Sequence, residues 1–140
     1  MTDRDRQRLV GVHPDLVASL VRIFDEMDAE HTPMFVVQGV RTKLEQARLY
    51  AQGRTSPGVI VTMKDGVLHR SNHQPHEDGW GHAVDCAFVG PQPFDPRWPW
   101  QRYGEACEAL GLIWGGRWAH PADSPHAELP VLKSQRAVKV

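Results

Sequence analysis

Cysteine is scarce in this sequence: 140 residues contain two, Cys86 and Cys107, and no C-x-x-C spacing. That excludes a structural zinc site built of thiolates and argues against a disulfide framework; the two thiols read as small, reduced, apolar packing groups. An excess of charge of one sign is also missing. Lys and Arg total 16 against 17 Asp and Glu, so nothing in the whole chain argues for a nucleic-acid partner. No apolar run approaches the ~20 residues of a membrane-spanning helix, and no stable membrane association is expected. The segment Met1-Thr2-Asp3-Arg4-Asp5-Arg6 is too charged for a signal peptide and no apolar stretch follows it, so export by a cleaved signal is not expected. Repeats, low-complexity segments and a linker to a second domain are lacking too. The expectation is a single domain over residues 1–140 with its core between about residues 9 and 130, long enough to bury a real core.

What the sequence does have is histidine, eight in all, with four between His69 and His82. The periodicity around them predicts an alternation of helices and short strands. Pro14 and Asp15 open a helix whose apolar positions Leu16, Leu20, Ile23 or Phe24, and Met27 recur at helical spacing to about Glu30. Met34-Phe35-Val36-Val37 reads as a buried strand ending near Gly39, and Thr42 with Glu45 forms the spacing of a capping box for a second helix that stops at Gly53. Arg41 is left at that strand-to-helix junction, and Gln46 falls on what reads as a helix surface. Val59-Ile60-Val61 and Val67-Leu68 suggest a hairpin. His82 to Phe88 alternates as a strand, with Ala83, Asp85 and Ala87 on one face and His82, Val84, Cys86 and Phe88 on the other. A Pro- and Trp-rich loop leads to a third helix from about Trp100 to Leu110, stopped by Gly111, and the tail from Lys133 reads as frayed.

The chemistry is concentrated in two places. His73 lies in a loop, Asp85 projects from one strand face, and His126 begins a short extended segment in which Glu128 shares its face. Two histidines and one carboxylate form a ligand set that catalytic zinc uses while leaving a position for water. Asp123 is near enough in sequence to overhang such an ion as a general base, and Glu128 could orient a ligand imidazole. Spacing alone leaves open that these are ordinary polar loop residues, since no H-E-x-x-H helix is present. His82 reads as a packed or rim histidine, while His13, His31, His69 and His120 read as surface or turn residues. Trp114 and Trp118 fit either a cleft lining or packing anchors.

Taken together, Ser71-Asn72-His73, Gly81-His82-Ala83-Val84-Asp85 and Asp123-Ser124-Pro125-His126-Ala127-Glu128 resemble the S-x-H, G-x-A-x-D and D-x-P-H-x-E signature of the LAS-type zinc peptidases. That family includes D-Ala-D-Ala carboxypeptidases and dipeptidases of the vancomycin-resistance type and the L-alanyl-D-glutamate endopeptidases of bacteriophages. Leu9 to Leu16, Gly39-Val40-Arg41-Thr42 and Leu110 to Gly116 resemble the phage branch, so the likeness runs from about residue 9 to residue 130. The resemblance implies an α+β fold, a small antiparallel sheet packed with helices on one side, of the hedgehog/DD-peptidase-like kind. It implies zinc on His73, Asp85 and His126, with Asp123 as catalytic base. Arg41 would hold a substrate carboxylate or polarise the attacked carbonyl, and Ser71 would support the first ligand or touch substrate.

The chain departs from the family pattern twice. The usual position of the first histidine falls on Asp78, so residues 74–79 look like an insertion; the Ser-x-His register favours His73, with His76 as the competing ligand. Arg117 stands where relatives often carry an acid, and it is assigned no role. The function implied is hydrolysis of the L-Ala–D-Glu bond in the peptidoglycan stem peptide by a monomeric phage endolysin. Such a protein would be made in the host cytoplasm and reach the wall through a membrane lesion formed by another protein. The alternatives are a D-alanyl-D-alanine carboxypeptidase or dipeptidase, which uses the same zinc site, and a zinc-bearing wall-binding module without catalysis. The presence of Asp123 speaks against the last.

Overall fold

The computed structural model describes residues 1–58, 60, 64, 71–119 and 121–130. The hairpin expected over residues 59–68, the tail from Lys133, His69 and His120 lie outside these described residues, apart from Ile60 and Lys64.

A helix that the sequence reading does not anticipate comes first. Helix α1, Asp3–Arg8, starts in a reciprocal box: Thr2 Oγ1 accepts from the Asp5 amide at 3.1 Å and Asp5 Oδ2 accepts from the Thr2 amide at 3.0 Å. Asp at the third helical position does the work more often done by Glu or Gln. Helix α2, Pro14–Ala29, buries Leu16, Leu20, Ile23, Phe24 and Met27 along one stripe, as expected. His13 is its N-cap and accepts from the Asp15 amide at 3.1 Å. Strand β1 is Met34–Gln38 and helix α3 is Lys43–Ala51, capped by Thr42 Oγ1 on the Glu45 amide at 3.1 Å. Then come β2, Ala83–Phe88; α4, Trp100–Ala109; β3, Ile113–Trp114, running into a 3-10 turn at Gly115–Arg117; and β4, His126–Glu128.

The four strands form one sheet in the order β1-β2-β4-β3, and every pair is antiparallel. One face carries Val36, Val84, Cys86, Trp114 and Ala127 into a core shared with α2 and α4. This is the expected α+β architecture, a small antiparallel sheet packed with helices. Both cysteines are free and buried in that core. The other face holds Asp85 and, directly opposite it, His126. Edge strand β1 is covered by α1: Asp5 Oδ1 accepts from the Val36 amide at 2.8 Å and Arg8 Nη1 donates to the Val36 carbonyl at 2.8 Å. Both exposed backbone groups of Val36 are thereby satisfied, which closes a potential aggregation edge.

Candidate metal centre

The centre is assembled from two adjacent strands and one pinned loop. Opposed residues of an antiparallel pair share a face, so the Asp85–His126 register sets a carboxylate beside an imidazole. His73 approaches from the loop before β2. Ser71 Oγ accepts from the His73 amide at 3.1 Å, Gln74 Oε1 accepts from the Ser71 amide at 2.9 Å, and the His73 carbonyl accepts from the Arg41 amide at 2.8 Å. The three side chains converge: His73 Nε2 and His126 Nδ1 lie 3.4 and 3.3 Å from Asp85 Oδ1. One donor atom from each of the three residues lies within 4.8 Å of the others. Two atoms each ~2.0–2.1 Å from a tetrahedral ion stand about 3.3 Å apart, so these separations fit a tetrahedral metal ion.

Hydrogen bonds outside the cluster orient both imidazoles, each with its other nitrogen turned toward Asp85. His73 Nδ1 faces the Gly39 carbonyl at 2.9 Å, and a carbonyl only accepts, so that nitrogen carries the hydrogen and Nε2 presents its lone pair. His126 Nε2 lies 2.8 Å from Glu128 Oε1, which leaves Nδ1 turned toward Asp85. Glu128 is itself held by Asn72 Nδ2 at 2.6 Å. Asp85 Oδ1 is buried with no hydrogen-bond partner, an unmet demand that a cation answers. The electrostatics show how strongly the cluster attracts positive charge, a proton or a metal ion alike. Burial favours a neutral Asp85, but His126 and His73 outweigh it and hold the carboxyl well below the usual range. Burial likewise opposes charge on His126, yet Asp85 and Glu128 raise its pKa to about 9.

Asp123 overhangs the cluster, its Oδ2 lying 3.8 Å from His126 Nδ1. Burial and the charge of Asp85 push its pKa up, against the pull of His126, His73 and Arg41. Its loop packs tightly on the 3-10 turn: the Asp123 amide donates to the Gly115 carbonyl at 2.9 Å, and a Cβ at Gly115 would meet the Asp123 carbonyl at 2.4 Å. Trp118 completes the rim with its ring 4.8 Å from that of His126, while Trp114 is a packing anchor whose Nε1 donates to the Ser124 carbonyl at 2.8 Å.

Arg41 is buried beside Asp85, with Nη2 3.6 Å from Oδ2. The reading of Gln46 as a surface residue is corrected here. Its side chain is fully buried and its Oε1 accepts from Arg41 Nη1 at 2.7 Å, while Gln38 Oε1 accepts from Nε and Nη2 at 3.2 and 2.9 Å. Helix α3 turns Leu44 outward at 62% exposure and Gln46 inward, the reverse of what hydropathy asks, which is why the pattern misled. Gln38, Gln46 and Asn72 are the site residues that sequence reasoning missed; the one available signal was a glutamine a turn beyond the Thr42 cap.

His76 does not join the cluster. Its ring stacks on that of His82 with centroids 3.8 Å apart, and His82 Nε2 is held by Asp78 at 2.7 Å. The insertion at residues 74–79 thus packs on a buried His82 and leaves His73 to face Asp85. Arg117 binds Glu108, with Nη2 2.9 Å from Oε1, away from the cluster.

An antiparallel sheet with a His-Asp-His cluster on the face opposite α2 and α4 is an arrangement suited to a small metallopeptidase, and comparison with known proteins agrees. A family model described as D-alanyl-D-alanine carboxypeptidase matches residues 66–129. The peptidoglycan L-alanyl-D-glutamate endopeptidase CwlK of Bacillus subtilis (strain 168) is 32% identical over 98 residues, covering 67% of this chain and 59% of CwlK. This chain therefore spans rather more than half the length of that curated relative. The crystal structure of the Serratia marcescens L-Ala D-Glu endopeptidase ChiX superposes with a TM-score of 0.63 at 26% identity, covering 96% of this chain and 92% of ChiX. The D,D-pentapeptidase VanY of a VanB-type resistance cassette, solved in complex with Zn(II), shares the fold with a TM-score of 0.59 at 16% identity, over 91% of this chain and 77% of VanY. These comparisons support the resemblance to the LAS-type zinc peptidases that the sequence motifs carry.

Proposed function

We propose that this chain is a zinc-dependent endopeptidase of peptidoglycan that cleaves the stem peptide between L-Ala and D-Glu. The observation that carries this reading is the convergence of His73, Asp85 and His126 on one point, with both imidazoles oriented by hydrogen bonds at their outer nitrogens. These three residues would hold the ion, and zinc in such a set supplies Lewis acidity, polarising a carbonyl and acidifying a water. Asp123, on the open side of the cluster, takes a proton from the attacking water and delivers it to the leaving amine. Arg41 meets a carboxylate of the substrate. Ser71 acts through its hydrogen bond to the His73 backbone and so supports the first ligand. Glu128 keeps His126 in place.

The choice of bond is supported by CwlK and ChiX, both named for the L-Ala–D-Glu linkage. A D-alanyl-D-alanine carboxypeptidase is the second reading, favoured by the description of the family model that matches residues 66–129. Product analysis on purified muropeptides separates them. A new N-terminal Glu is expected; free D-Ala instead would establish the carboxypeptidase. We further propose a role as a phage endolysin, on the phage-type segments at Leu9 to Leu16, Gly39 to Thr42 and Leu110 to Gly116. Purified chain should then clear suspensions of permeabilised Gram-negative cells, and no fall in turbidity would count against that role.

A further inference from the structure

Arg41 is 7% exposed, and no other Arg or Lys is buried among the described residues. A buried guanidinium is ordinarily matched by a carboxylate, because an uncompensated charge is costly to desolvate. Arg41 is held differently. Three of its five N–H donors go to glutamine oxygens, from Nε and Nη2 to Gln38 and from Nη1 to Gln46. These amides satisfy the hydrogen bonds but cancel none of the charge. The nearest carboxylate, Asp85 at 3.6 Å, is shared with two imidazoles. The backbone is shaped to make this cradle. The β1–β2 register slips between Val36 and Gln38, so that Gln38, not Val37, lies opposite Asp85. Such a bulge re-aims a side chain across the sheet, and without it Gln38 would face the core.

We propose that Gln38 and Gln46 are positioning residues that keep Arg41 aimed at the metal centre with no carboxylate of its own beyond the shared Asp85, so that it selects a substrate whose D-Glu α-carboxylate is free over one in which it is amidated. This rests on the L-Ala–D-Glu reading. In that substrate the α-carboxylate is separated from the scissile nitrogen by a single carbon, which brings it beside any group that flanks the metal cluster. An α-amide offers the same shape without the charge.

The test uses the zinc-loaded full chain and two stem peptides that differ only in α-carboxylate or α-amide at D-Glu. Wild type should favour the acid by roughly 10- to 100-fold in kcat/KM, the size of a charge-assisted hydrogen bond. Gln46→Glu and Gln38→Glu each place a carboxylate on Arg41 while keeping the side-chain length. Either should collapse that preference toward unity by raising KM for the acid more than for the amide, with zinc content unchanged. A residue that merely packs would lower both substrates alike. Calorimetric binding of the product peptides, D-Glu acid against D-Glu amide, gives the same comparison without turnover. No acid preference in wild-type binding, or a preference that survives in a folded, zinc-replete variant, overturns the inference. Release of D-Ala in place of N-terminal Glu would instead defeat the assignment of the scissile bond, and the binding comparison would still decide the role of the glutamines.

Discussion

Replacing Glu128 tests whether the metal centre depends on groups that never touch the metal. Its carboxylate is 7% exposed and accepts from His126 Nε2 at 2.8 Å and from Asn72 Nδ2 at 2.6 Å. Two consequences follow from removing it. His126 loses the bond that orients its ring, and one buried donor and one half-buried donor lose their acceptor. Partners of this kind typically govern 10–100-fold in metal affinity, which corresponds to about 1.4–2.7 kcal/mol. The orphaned donors add a folding cost of about 1–3 kcal/mol each in Glu128→Ala. Glu128→Gln separates the two effects, since it keeps volume and an acceptor oxygen but removes the charge. Zinc affinity by chelator competition should fall about tenfold or more in Glu128→Gln and further in Glu128→Ala. Denaturant unfolding of the metal-free proteins should show a large loss only for Glu128→Ala. Wild-type zinc affinity in both variants would refute the claim that Glu128 orients a ligand.

His73→Ala should abolish stoichiometric zinc binding and muropeptide cleavage, whereas His76→Ala should leave zinc content intact; metal analysis of the two purified proteins decides, and the opposite pattern would move the ligand to His76. Asp123→Asn keeps shape but cannot take a proton, so zinc should be retained while cleavage falls at least ~100-fold; loss of zinc would make Asp123 a ligand, and near-normal cleavage would remove it from the mechanism. Asp5→Ala removes the carboxylate that accepts from the Thr2 amide and from the buried Val36 amide, and should cost about 2 kcal/mol or more in urea unfolding without changing zinc affinity.

The parts of the fold legible in the sequence are those in which apolar periodicity has to serve a core. Leu16, Leu20, Ile23 and Met27 announce α2, and Val84, Cys86 and Phe88 announce the inner face of β2, because burial of those side chains stabilises the elements. Helix α1 escaped notice because polar contacts anchor it, through Asp5 and Arg8 on the Val36 backbone some thirty residues away. Gln38 and Gln46 escaped for the same reason. A buried amide can only be recognised from its partner, and Arg41 comes into reach of Gln38 through a bulge that hydropathy does not encode. The metal cluster itself was legible because its residue types are restrictive and occur in the order of a known signature. The Ser-x-His register favours His73 over His76, and the two sit differently in the fold: Ser71 Oγ fixes the His73 backbone beside Asp85, while the His76 ring stacks on His82.

The short strand β4 shows how core packing sets the position of the groups at the candidate metal centre. With only three residues, it sends His126 and Glu128 to the site face and Ala127 into the core. A slip of one residue would invert that arrangement, turning two polar groups into the apolar core and taking His126 from the candidate metal centre. Three residues of ladder are a weak guarantee of register, so the segment just before the strand is held from outside. Tyr103 Oη donates to the Pro125 carbonyl at 3.1 Å, Trp114 Nε1 to the Ser124 carbonyl at 2.8 Å, and the Cys86 amide also to the Pro125 carbonyl at 3.0 Å. Tyr103 and Trp114 are core side chains, 0% and 5% exposed, whose single polar atoms reach the loop backbone. Their position depends in turn on Gly104, where any Cβ would stand 2.2 Å from the Trp114 ring. The close approach of α4 to β3 therefore determines where the carbonyls of residues 124 and 125 are held, and with them the distance from Asp123 to His126.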